Sequence, residues 1–130
     1  GVVFVTINEP GSSGASGSQR DANERWLNEA FDLAESSGAP GVMVVWQDNS
    51  FSPSGGRLYR LLRERATEFG RPVVLVHGDT HSFHIDHPWS ELDDFTRVET
   101  YGPENSSRWV LATVDPNSPS VFSFRTMHAP

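Results

Sequence analysis

Cysteine is absent from all 130 residues, and lysine is absent as well: every one of the ten basic residues is arginine. Without cysteine there is no disulfide and no thiolate chemistry, and a zinc site built on thiolates is excluded. The all-arginine usage reads first as a bias of the source genome, although each guanidinium can still grip a phosphate as a bidentate fork. Positive charge is scarce, and the net charge of -7 argues against nonspecific binding to nucleic acid or to acidic membranes. No apolar run approaches the roughly 18 residues of a membrane span, and no stretch reads as a signal peptide. The chain opens Gly1-Val2-Val3-Phe4-Val5 without methionine and already inside a strand-like run, from which a processed or trimmed product is expected. Its length fits one domain over residues 1–130.

Histidine, by contrast, is concentrated. Four of the five histidines, His77, His81, His84 and His87, fall between Pro72 and His87, together with Asp79 and Asp86. The stretch begins with Val73-Val74-Leu75-Val76, four unbroken β-formers that read as a strand buried on both faces, and it breaks at Gly78. Open α/β sheets place ligands beyond the carboxyl ends of their parallel strands, so Asp79 and His81 lie where a site is expected. Gly78 is expected to supply the turn that points both side chains into one cleft. Imidazole with carboxylate suits a divalent transition metal such as Zn, Mn, Fe or Ni. For His77, at the end of a buried strand, a hydrogen-bonded structural role competes with ligation. His84 and His87 read equally well as solvated loop histidines.

Hydrophobic periodicity orders the rest. Residues 2–7 and 42–46 read as further buried strands. Gly11 to Ser18 has the composition of a flexible loop. Asp21 and Glu24 resemble a capping box opening a helix to about residue 36, with Trp26, Leu27, Ala30, Phe31 and Ala34 on its apolar side. A second helix is expected over 57–69, opened by Ser54-Gly55-Gly56 and closed by Gly70; its Arg57, Arg60, Arg63 and Arg65 form a solvated face, from which Arg57 could reach a phosphate. The exit Gln47-Asp48-Asn49-Ser50 forms a second wall of the site if the strands before it and before Gly78 are parallel neighbours, and an ordinary turn otherwise. Residues 96–101, 108–114 and 121–124 read as antiparallel hairpin strands, with Phe122 and Phe124 packing inward. The expected fold is α/β: a βαβαβ unit with a mainly parallel sheet, extended by antiparallel C-terminal strands.

These residues resemble the C-terminal half of bacterial calcineurin-like metallophosphoesterases. The resemblance rests on Val76-His77-Gly78-Asp79-Thr80-His81, Phe83-His84-Ile85-Asp86-His87-Pro88, Phe95 to Gly102, Trp109-Val110 and Val114-Asp115-Pro116. It implies half of a metallophosphoesterase-like sandwich, a two-metal centre, and Gly78-Asp79-Thr80-His81 standing for the family's Gly-His-x-His motif, with Asp79 in place of the first histidine. The family's upstream Asp-x-His, Gly-Asp-x-x-Asp and Gly-Asn-His-Asp/Glu motifs are missing, and Trp46, Gln47 and Asp48 stand where an isolated histidine belongs. The function expected from the resemblance is a metal-dependent phosphoesterase acting on small phosphate mono-, di- or triesters. Asp79 and His81 would be its catalytic metal ligands, and His77, His84, His87 or Asp48 would complete the shell. Two ligands cannot hold a catalytic metal alone, so a homodimer is expected to bring two sets together. The competing expectations are an inert domain that binds metal or phosphate without turnover, and a structural or interaction module.

Overall fold

A computed structural model describes residues 1–10, 16–49, 51 and 56–130. Strands β1 (Val3–Thr6), β2 (Val42–Val45), β3 (Val73–His77), β4 (His84–Asp86) and β5 (Phe95–Glu99) form one sheet in the order β1-β2-β3-β5-β4. Strands β1, β2, β3 and β5 run parallel, and β4 pairs antiparallel to β5 at the edge. Helices α1 (Gly17–Ser36) and α2 (Arg57–Phe69) connect the first three strands. A separate antiparallel pair, β6 (Arg108–Val114) and β7 (Phe122–His128), completes the chain. The protein is therefore α/β with a mainly parallel sheet, and among the described residues no helix is long and apolar enough to cross a membrane.

The central strands are apolar at successive positions because both faces are covered. On one face Val5, Val42, Val44, Val73, Leu75 and Phe95 pack beneath Leu27 and Phe31 of α1 and Leu58, Leu62 and Phe69 of α2. On the other, Met43, Val74 and Val98 meet Val121 and Phe122 from the hairpin side, with Phe124 half-buried beside them. Isolated helices of this length are marginal in water, so burial of these stripes holds them in place.

Several details depart from expectation. The Asp21/Glu24 capping box does not start α1. Ser16 caps it instead, its Oγ accepting from the Gln19 amide at 3.4 Å, so Gly17 and Ser18 belong to the first turn. Residues 11–15 of the expected Gly/Ser loop lie outside the described residues, as do Ser50, Ser54 and Gly55. Gly56 does cap α2, and Gly70 closes it in the left-handed conformation with its amide on the Ala66 carbonyl. The segment around residues 96–101 does not pair with the strands that follow it: β5 lies parallel to β3 in the register Val73↔Phe95 to His77↔Glu99 and is antiparallel to β4 on its other side. The antiparallel extension of the sheet comes from β4, where only loop was expected, while β6 and β7 cover a face rather than an edge.

Candidate functional site

Strands β2, β3 and β5 all end at the same side of the sheet, so their exits are adjacent. The Gly78 amide donates to the Gln47 carbonyl at 3.3 Å, and the Asn49 amide approaches Asp79 Oδ2 at 3.5 Å. The expected second wall therefore does stand beside the loop that follows β3. Asp48 is half-buried there, with its amide on the Glu9 carbonyl and its own carbonyl accepting from Trp46 Nε1.

Two residues in the loop adopt left-handed backbone conformations, Asp79 with φ 79° and His81 with φ 62°; the turn is thus made by the candidate ligands rather than by Gly78. For residues with a Cβ this conformation is unfavourable by roughly 1–2 kcal/mol each, so something must hold it. Glu99 does so. It is fully buried at the end of β5, and its Oε1 accepts from the Thr80 amide at 3.1 Å, from the Ser82 amide at 3.3 Å and from the Thr80 hydroxyl. These three contacts converge on one oxygen and fix the loop amides against the sheet. From above, His81 lies against Gly102, where an added Cβ would meet that of His81 at 2.3 Å. Phe83 stacks on Tyr101 with ring centroids 4.3 Å apart.

The remaining histidines are occupied elsewhere. Alternation along β3 turns His77 to the helix-covered face, where it is 2 % exposed and stacked against Phe51 at 5.5 Å. Its Nδ1 lies 3.0 Å from the Gly78 carbonyl oxygen and donates to it, which leaves Nε2 as a buried acceptor without a hydrogen-bond partner among the described residues. Burial holds the His77 pKa below the usual imidazole range, with the Gly78 carbonyl and Glu99 opposing more weakly, so the ring is neutral near pH 7. His84 stands at the exposed start of β4 with Nδ1 against the Ser82 carbonyl and 3.5 Å from Glu99 Oε2. His87 directs Nδ1 to the Phe95 carbonyl at 2.8 Å. His81 is exposed, with Nδ1 3.7 Å from Glu104 Oε2. Asp86 is committed to Arg97.

The six candidate ligands, Asp48 after β2 and His77, Asp79, His81, His84 and His87 close together in the chain, are consequently not neighbours in coordination. Among the described residues no group of three His, Asp or Glu side chains could hold a metal ion. A resident metal therefore does not fit one copy of these residues. Three of the four arginines of α2 are held in ion pairs: Arg57 pairs with Glu24 at 2.8 Å and Arg65 with Asp32 at 2.7 Å, both on α1, and Arg63 pairs with Glu91. Arg57 is thus directed to the neighbouring helix and not to the strand exits.

Glu99 is the residue that sequence reasoning overlooked. Its signal was present: in Phe95-Thr96-Arg97-Val98-Glu99 alternation puts Glu99 on the same face as the fully buried Phe95, and a carboxylate on a buried face needs donors. No protein-family model matches this chain, and no curated protein or solved structure is significantly similar to it.

Proposed function

We propose that the chain contributes part of the metal site of a phosphoesterase acting on small phosphate mono-, di- or triesters, and that the site is completed from outside one copy, by a second copy in a homodimer. The observation that supports this reading is the pair Asp79 and His81: two metal-competent side chains, both on left-handed backbone, at the exit of a central parallel strand. Strained non-glycine residues concentrate where function over-determines the backbone. Asp79 and His81 supply a carboxylate and an imidazole, a mixture suited to Zn, Mn, Fe or Ni. A resident divalent metal would contribute Lewis acidity and an activated water; the role of the chain is to hold its two donors in the loop that follows β3.

The test is metal content and hydrolysis of activated aryl phosphate mono-, di- and triesters, measured on the same preparation before and after chelation. Bound metal with chelator-sensitive turnover, both lost in His81→Ala, is the expected result. Full turnover by metal-free protein would defeat the reading.

A second reading, a metal-binding or structural module without turnover, is favoured by one observation: among the described residues no group of three His, Asp or Glu side chains is placed to hold a metal ion. Bound metal without hydrolysis of any ester would decide for it.

A further inference from the structure

We infer that the groove between β7 and the β4–β5 side of the sheet is a second binding site, one that takes a small organic cation with an apolar body, such as an arylalkyl ammonium. The groove follows from a mismatch of widths. Five strands spaced about 4.8 Å apart make a sheet far wider than a two-stranded hairpin, and the hairpin packs on Met43, Val74 and Val98 near the middle strands. A groove of about 360 Å³ is left along the flank of β7, with Val74, Thr96 and Ile85 of the sheet on one side and Phe122 and Phe124 of the hairpin on the other. Ile85 is 40 % exposed there, so apolar surface on this flank is still open to a ligand. Pockets for small molecules run from about 300 to 1,000 Å³, and this one has room for a single ring on a short chain rather than for a folded partner.

The charge in the groove is of one sign. Asp93 and Asp94 line it together with His87, and no arginine does. Among the described residues neither aspartate carboxylate makes a hydrogen bond or an ion pair. Their backbone is nevertheless fixed, because the Val73 amide donates to the Asp94 carbonyl at 2.9 Å and the Phe95 amide to the Leu92 carbonyl at 3.0 Å. Arg71 shares a neighbouring cavity with the two aspartates, but its guanidinium lies over the Phe69 ring and donates to the Ala39 carbonyl. His87 donates through Nδ1 to the Phe95 carbonyl, so its neutral ring offers Nε2 as a further acceptor. Carboxylates without a cation, beside apolar walls, select a ligand that brings positive charge and donors on a hydrophobic stem. An anionic ligand meets repulsion, which the net charge of -7 reinforces. The groove borders the amino-terminal ends of β3 and β5, at the opposite end of the strands from Asp79 and His81, so it is independent of the phosphoester reading.

The experiment titrates the full chain with phenylbutylammonium, with neutral phenylbutanol and with anionic phenylbutyrate, and follows the backbone amide shifts of Ile85, Thr96 and Phe124 by NMR. The cation should bind with shifts confined to the groove. The alcohol should bind about 3- to 30-fold more weakly, the range that two exposed charge contacts supply, and the anion should not bind. The double variant Asp93→Asn, Asp94→Asn should lower the cation to the affinity of the alcohol and leave the alcohol unchanged. Ile85→Ser should weaken both, because it removes apolar wall and no charge. All three positions are exposed, so these variants keep the fold. Equal binding of cation and anion would overturn the inference, as would cation binding that survives the double substitution. Shifts scattered over every acidic face, or no binding by any of the three probes, would overturn it too.

Discussion

Arg97 and Asp86 are register partners across the antiparallel β4–β5 pair, and their side chains close a two-bond ion pair in which Arg97 Nε donates to Asp86 Oδ1 at 2.8 Å and Nη2 donates to Oδ2. The guanidinium also lies 4.5 Å from the centre of the Phe51 ring. A three-residue strand with two exposed positions has little apolar burial to hold it, so this pair is what fastens β4 to the sheet. Asp86→Ala leaves a mostly buried guanidinium unpaired and should destabilise the fold by about 1–3 kcal/mol, read from urea unfolding. A change within the error of that measurement would show that β4 is held by its backbone ladder alone.

The same pair and His77 give stability two separate dependences on pH. The Arg97 hydrogen bond depresses the Asp86 pKa below its ordinary 3.8, against a smaller opposing effect of burial. Its contribution is complete above the unfolded value and is lost as pH falls through the lower folded value. His77, depressed mainly by burial, behaves alike at higher pH: below 6.5 the unfolded chain takes up a proton that the folded chain refuses, so stability declines as pH falls through that window. The difference in unfolding free energy between wild type and His77→Phe should therefore change below pH 6.5, and that between wild type and Asp86→Asn only below pH 3.8. Parallel stability curves for wild type and His77→Phe would contradict the neutral buried imidazole.

Elements built on buried apolar runs were legible in the sequence. Val42 to Val45, Val73 to Val76 and the Leu58, Leu62, Phe69 stripe carry their own period, and glycines at 56 and 70 mark the ends of α2. What was hidden depends on partners distant in the chain. β4 has no apolar run, and only the ladder to β5 and the Asp86–Arg97 pair make it a strand. β5 pairs parallel to β3 on one side and antiparallel to β4 on the other, an arrangement set by the path of residues 78–94, which no local pattern encodes. In the candidate site, the position of Asp79 and His81 at a strand exit was readable, whereas the commitment of the neighbouring histidines to backbone carbonyls was not: a histidine in a loop looks the same whether its ring meets a metal or a peptide.

Backbone strain at Asp79 gives a test of the loop that is independent of any ligand. At φ 79° asparagine and glycine are tolerated far better than a β-branched residue. Asp79→Asn should be close to neutral in stability, while Asp79→Val should lose about 1–2 kcal/mol by chemical denaturation. Equal stability of the two variants would mean that the loop relaxes freely and is not held by Glu99.

The homodimer we propose would have a candidate seam in β1. This strand lies at the sheet edge, Phe4 is 59 % exposed on it, and Trp26 and Leu33 of α1 are also exposed. Trp26 Nε1 donates to the Thr6 carbonyl at 3.2 Å, so part of the edge is already satisfied, but an uncovered edge strand remains a template for another strand. A net charge of -7 opposes the approach of two copies, and screening it should help them meet. Light scattering should therefore give a dimeric mass whose population grows from low to moderate salt, and Phe4→Glu, which adds negative charge to the seam, should shift it to monomer. If the partner copy completes the site, the same variant should also lose bound metal although Phe4 is remote in sequence from Asp79 and His81. A monomer that keeps its metal would place every ligand within one chain and remove the need for a partner.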